Sequence, residues 1–170
     1  MSHKNVLAVD FGASSGRVML GNFDGNRLSI QEIHRFPNDP VILNGTMYWD
    51  FLRLFYEVKQ GLMKAKRYGK IDSIGVDTWG VDFGLIDKEG NLLENPVHYR
   101  DARTAGMLEK SFGKMDKDRF YQITGSQFME INTVFQLLAL LEKRPGLLEG
   151  TSRLLLMPDL FNYYLCGAQV

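Results

Sequence analysis

Asp10, Gly12-Ala13-Ser14-Ser15-Gly16 and Arg17 form the densest group of chemistry-bearing residues in the chain. Val6 to Val9 precede them and Val18 to Leu20 follow, so the pattern predicts strand, tight turn, strand. A polyphosphate needs many hydrogen-bond donors at close range, and backbone N–H groups in a tight turn converge on one anion. Gly12 and Gly16 permit positive φ and carry no Cβ to block a ligand. Ser14 and Ser15 add hydroxyl donors, and Arg17 a fixed positive charge. Asp10, at the strand end, can hold water on a Mg²⁺ ion that bridges phosphates. The stretch is not a Walker loop, because no Gly-Lys-Ser/Thr follows and no helix starts there, and it is not GxGxxG. Without a ligand, the same residues make a β-hairpin with a polar turn and a satisfied strand-end Asp.

Two further stretches carry chemistry. In Gly75 to Gly84, Trp79 offers a stacking surface for a sugar, Asp77, Thr78 and Asp82 offer directional hydrogen bonds, and Gly80 permits close backbone approach. The alternative is a twisted strand pair around a buried Trp. Tyr99-Arg100-Asp101-Ala102-Arg103 joins an aromatic, two guanidiniums and a carboxylate at a strand-to-helix junction. Arg and Asp at this spacing also make surface pairs or helix caps, and His98 beside them reads as structural or exposed. His34 reads as an edge or solvent-facing histidine, with no Cys or His nearby at metal spacing.

The elements that position these groups follow from periodicity. Asp24-Gly25 is a hairpin signal, and Leu28 to Phe36 is a third strand in which Ile33 breaks the period of two, so a bulge is expected. Residues 37 to 48 read as a loop. Asp50 caps a helix with Phe51, Leu54, Phe55, Val58 and Leu62 on one face, stopped near Gly69. Ile71 to Asp77 follows as a strand parallel to an earlier one. Val81, Phe83 and Leu85 alternate as the next strand, with a turn at 87–91. Asp101, Asp116, Asn132 and Asp159 are helix caps, the Asn132 helix burying Val134, Leu137, Leu138 and Leu141, and Arg153 to Met157 is a last strand.

At 170 residues the chain fits one domain, which buries about 70% of its unfolded surface. Equal numbers of basic and acidic residues, 20 each, argue against nucleic acid or an anionic membrane as the main partner. One cysteine, Cys166, excludes an internal disulfide framework, fits a reducing cytosol and reads as a small buried residue near a helix end. With no apolar run of about 18 residues and no secretory signal, the expectation is a soluble, cytoplasmic protein. Gly167 and the residues after it suggest that the chain stops at or near a domain boundary of a longer protein.

Three stretches in order carry a resemblance. AVDFGASSGRVML resembles the phosphate-binding hairpin of the actin, hexokinase and sugar-kinase superfamily, and GVDTWGVDFGLID and PVHYRDART resemble the motifs that follow it in the FGGY carbohydrate kinases. EIHRF and LLLMPD extend the similarity, which runs from Val6 to about Gly167. The resemblance implies an α/β, RNase H-like fold: a mixed sheet with an antiparallel three-strand meander, then βα units and helices. It implies that residues 1–170 are an N-terminal domain, the sugar- and phosphate-binding half, facing a C-terminal domain of the same protein across a cleft. Carried over by position, Ala13, Ser14, Ser15, Gly16 and Arg17 contact the phosphates of ATP, and Asp10 faces Mg²⁺. Gly80 touches a ketose, and Trp79 and Tyr99 line its pocket. The implied reaction is phosphoryl transfer from ATP to the 1-hydroxyl of L-rhamnulose, a step of rhamnose catabolism. The family's general base, an Asp, and its adenine pocket are expected beyond Val170; Asp10, Asp77 and Asp82 do not take that role. The isolated chain is therefore expected to be inactive and to bind ATP weakly. The alternatives are a kinase of the family for another sugar, such as fuculose or xylulose, and a non-catalytic sugar- or nucleotide-binding module.

Overall fold

β1 (Lys4–Phe11) and β2 (Ser15–Phe23) pair antiparallel, with Asp10 opposite Arg17 and Phe11 opposite Gly16. The computed structural model describes residues 3–167. β3 (Leu28–Pro37) completes the meander. The expected bulge falls at Ile33: His34 faces Val18 and Glu32 faces Met19, so Ile33 is the extra residue, and its side chain is buried. Asp50 accepts a hydrogen bond from the Arg53 amide at 3.1 Å and starts α1 (Phe51–Ala65), which leads to β6 (Ser73–Asp77). β6 lies parallel to β1, giving the sheet order β3-β2-β1-β6.

One face of this sheet holds the core. Leu7, Val9, Phe11, Val18 and Leu20 are buried, as are Phe51, Leu54 and Val58 of α1 and Leu160 and Phe161 of α6 (Met157–Cys166). Phe161 stacks on Phe11 with ring centroids 4.3 Å apart. Helix and sheet approach closely at Gly61, where a Cβ would sit 2.4 Å from Val18 Cγ2. Gly61→Ala is therefore expected to cost about 1–3 kcal/mol through overpacking. The urea midpoint reads this, and Val18→Ala in the same chain should recover much of the loss. On the opposite face, Val6, Ala8, Met19, Leu28 and Ile30 line an open groove of about 340 Å³, with Asp10 and Arg17 at its end.

The described residues form two compact units: 3–41, 49–80 and 157–167 in the first, 42–48 and 81–156 in the second. The second contains the segment expected to be a loop, which instead forms a hairpin of β4 (Val41–Leu43) and β5 (Thr46–Tyr48). Asn44 and Gly45 at its tip both have positive φ, 50° and 78°, the geometry an Asn-Gly turn supplies. β7 (Phe83–Ile86) pairs antiparallel with β8 (Arg153–Leu156). All four β7 residues are buried, so no alternation survives. After a short 3₁₀ turn at Ala102–Thr104 come α2 (Met107–Phe112), α3 (Lys117–Thr124), α4 (Thr133–Lys143) and α5 (Pro145–Glu149).

Four expectations need correction. α4 buries Phe135, Gln136, Ala139 and Leu140, while Val134 and Leu141 are exposed. Asp159 lies inside the first turn of α6, which begins at Met157, and so does not cap it. Cys166 is exposed, its Sγ 3.0 Å from the Asn162 carbonyl. His34 does lie on an edge strand, β3, but it does not face solvent: its Nε2 lies 2.7 Å from a Glu57 carboxylate oxygen, and Lys64 Nζ lies 2.8 Å from its Nδ1. Burial pushes the Glu57 carboxyl up, but hydrogen bonds from His34 and Arg53 outweigh it and hold the group below the usual range.

Candidate functional site

The turn between β1 and β2 is organised from inside. Gly12 N–H donates to the Ser15 carbonyl at 2.9 Å, and the Asn38 amide donates to the Ser14 carbonyl at 3.1 Å. The Asn38 side chain donates to the Gly12 carbonyl at 2.8 Å. Three carbonyls of the turn are thus satisfied by protein donors. Among the described residues, the N–H groups of Ala13 and Ser14 donate to no protein acceptor, and both residues are exposed. An exposed bend with carbonyls satisfied and amides available suits an anion. Asn38, buried to 2% exposure, escapes a reading of the sequence. Its only signal is an Asn next to Pro37, at a strand end far from the turn along the chain.

Two sequence arguments about this turn change. Neither Gly12 nor Gly16 has a positive φ. Gly16 is required by packing: a Cβ there would lie 2.3 Å from the Phe36 ring. Arg17 is exposed and engaged, its Nε and Nη2 each 2.8 Å from Asp10 Oδ2. An exposed pair of this kind contributes at most about 1 kcal/mol, so an incoming phosphate can compete for the guanidinium.

Asp10 lies level with Asp77, its partner in the parallel β1–β6 register. Two carboxylates at the ends of neighbouring strands form a hard oxygen donor set, the type that holds Mg²⁺ together with water and phosphate. Among the described residues no cluster of three or more His, Cys, Asp or Glu side chains could hold a metal by itself. The residues therefore fit an ion whose remaining ligands come from substrate and solvent.

In the first unit, Trp79 stacks on the fully buried Trp49 at a centroid distance of 3.8 Å, so one of its faces is committed to the core. Gly80 follows with φ 71° and nothing within 4 Å of a built Cβ, so both its conformation and the open space beside it suit a close ligand. Among the described residues, Thr78 Oγ1 is buried with no hydrogen-bond partner. Asp82, offered by the sequence as a sugar contact, is fully buried in the second unit and cannot serve. Its carboxylate accepts from the Tyr99 amide at 3.2 Å and from Gln136 Nε2 at 2.9 Å.

The half-buried Tyr99 packs against His98 at 4.5 Å and carries the Arg100 guanidinium over its ring at 5.1 Å. Asp101 is a cap: it accepts from the Arg103 amide at 2.9 Å and from the Met47 amide at 2.8 Å, tying the β4–β5 hairpin down. His98 is buried to 1% exposure, and its Nδ1 accepts from the Arg100 amide at 2.9 Å. Burial, with the Arg100 charge beside it and Asp101 opposing, brings its imidazole down to about 4. A cavity of about 440 Å³ in this unit is lined by Val81, Phe120, Phe128, Gln127 and Thr133 among others. No helix among the described residues is long and apolar enough to cross a membrane.

Residues 5–170 match the family model described as the FGGY family of carbohydrate kinases, N-terminal domain. The chain is 43% identical over 165 residues to a rhamnulokinase from Oceanobacillus iheyensis, covering 96% of the chain and 35% of that protein. It is 44% identical over 168 residues to a rhamnulokinase from Bacteroides thetaiotaomicron, covering 98% and 35%. It thus spans about a third of the length of these curated relatives. Among solved structures, it superposes on a ligand-bound xylulose kinase from Lactobacillus acidophilus with a TM-score of 0.82 at 16% identity, covering 96% of this chain and 34% of that one. A gluconate kinase from Lactobacillus acidophilus gives 0.81 at 15% identity, covering 95% and 33%. At these identities the structures bear on the fold, which is that of these α/β sugar kinases.

Proposed function

Because the chain belongs to the FGGY family of carbohydrate kinases, we propose that the full-length protein transfers the terminal phosphoryl group of ATP to the 1-hydroxyl of L-rhamnulose. The observation that carries this reading is the 43–44% identity to two rhamnulokinases over nearly the whole chain, against 15–16% to the xylulose and gluconate kinase structures. Residues 1–170 are the phosphate-turn and sugar-contact part of an N-terminal domain, and the polypeptide beyond Val170 supplies the general base and the adenine pocket.

Ala13, Ser14, Ser15, Gly16 and Arg17 bind the phosphates of ATP. The available amides of Ala13 and Ser14 support this. Asp10, with Asp77 level beside it, holds Mg²⁺ through its water. When bound, the ion offsets the charge on the phosphate oxygens. Gly80, Trp79 and Tyr99 contact the ketose. Phosphoryl transfer depends mainly on positioning and charge stabilisation, so one part of a cleft is insufficient.

Two measurements test the reading. The full-length protein, offered L-rhamnulose, L-fuculose and D-xylulose with ATP and Mg²⁺, is expected to show its highest kcat/KM with L-rhamnulose. A higher value with either other sugar reassigns the substrate within the family; turnover of none leaves a binding module. The isolated 170-residue chain is expected to phosphorylate no ketose and to bind ATP weakly. Turnover by that chain would refute the assignment of the base to the polypeptide beyond Val170.

A further inference from the structure

Val81 has a φ of 59°, directly after Gly80 at 71°. A β-branched residue in the left-handed region is strained, and such strain persists only where surrounding groups enforce it. Here the enforcing groups come from α4. Thr133 Oγ1 donates to the Val81 carbonyl at 2.8 Å, and Gln136 Nε2 lies 3.3 Å from the same oxygen. Gln136 is fully buried, as is Asp82. Its Nε2 also donates to Asp82 Oδ1 at 2.9 Å and to the Ile131 carbonyl at 2.8 Å. Two N–H hydrogens thus serve three acceptors, and the 3.3 Å contact is the long arm of a shared hydrogen bond. Arg103 Nη2 donates to Gln136 Oε1 at 2.6 Å, which orients the amide so that its nitrogen faces Val81 and Asp82. Asp82 passes the constraint on, since its Oδ2 accepts from the Tyr99 amide.

We infer that Gln136 is a positioning residue for sugar binding: with Thr133 it locks the left-handed Val81 that follows Gly80, and through Asp82 it fixes the backbone at Tyr99. The inference rests on the proposed role of Gly80 and Tyr99 in ketose contact. A buried amide with every hydrogen-bonding group engaged is a rigid device. Its direct ties to the residue after one proposed sugar contact, and through Asp82 to the backbone of another, distinguish it from a core filler.

The test uses the full-length protein. Gln136→Met keeps the side-chain length and removes every polar contact. It is expected to raise KM for the ketose about tenfold or more and to leave KM for ATP within about twofold. Glycine carries no penalty at positive φ, so adding Val81→Gly should bring the ketose KM most of the way back. If Gln136→Met fails to fold, Thr133→Val, which removes only the short bond to the Val81 carbonyl, is read the same way. An unchanged ketose KM, equal rises for both substrates, or no recovery from Val81→Gly overturns the inference. Amide hydrogen exchange in the same proteins gives a readout independent of turnover. Faster exchange at the Tyr99 amide in Gln136→Met supports the clamp, and unchanged exchange there overturns it. A wild-type protein that phosphorylates no ketose refutes the proposed function and leaves exchange to decide on the clamp.

Discussion

Asp10→Asn in the full-length protein is expected to lower kcat by a hundredfold or more at saturating ATP, ketose and Mg²⁺, with little change in melting temperature. The loss corresponds to about 3–4 kcal/mol at the transition state, the typical cost of one preorganised electrostatic contact. The expectation comes from where Asp10 sits. It faces away from the core, beside the open groove, and it pairs with the exposed Arg17. That pair stabilises the fold by at most about 1 kcal/mol, and Asn retains an oxygen to accept from Arg17. A large loss of rate with an intact fold therefore identifies Asp10 as part of the phosphate chemistry. Unchanged turnover would make it a structural cross-strand partner.

The second large effect is on stability in acid. His98 is buried, accepts a backbone hydrogen bond at Nδ1, and has its imidazole brought down to about 4 from an ordinary value of 6.5. Above pH 6.5 the ring is neutral in both folded and unfolded chains and contributes no pH dependence. As pH falls below 6.5 the unfolded chain takes up a proton that the folded one refuses, so stability declines until about pH 4, where the folded ring also titrates. At about 1.4 kcal/mol per unit, the total is at most about 3.5 kcal/mol. His98→Asn keeps an acceptor for the Arg100 amide and removes the titration. Urea midpoints of wild type and His98→Asn, measured from pH 7 to 4.5, should therefore converge or cross as pH falls. Parallel curves would show that His98 does not carry the effect.

Local signals sufficed wherever one short stretch contained both the pattern and its cause. The meander, the bulge at Ile33, the Asp50 and Asp116 caps and the parallel β6 were all legible in this way. So was the turn between β1 and β2, because the run of small and hydroxyl residues lies between two strands whose apolar residues mark their boundaries. Family membership was legible because its motifs are contiguous and in order.

Other features depend on groups distant in sequence. α4 carries apolar residues on two stripes, and its apolar pattern does not select between them. The selection is made by Gln136, a polar residue that belongs inside only because Arg103, Asp82 and Val81 supply partners for its amide. Asn38 braces the turn from the far end of β3, and Gly16 is demanded by a ring on a neighbouring strand. The amino-acid order determined which residues could do chemistry and where most strands and helices run, since those depend on near neighbours. Tertiary structure alone determined which carboxylates remain accessible and which are consumed inside. Asp10 stays beside open solvent and Asp82 does not, because the desolvation of a carboxylate depends on what the rest of the chain packs around it.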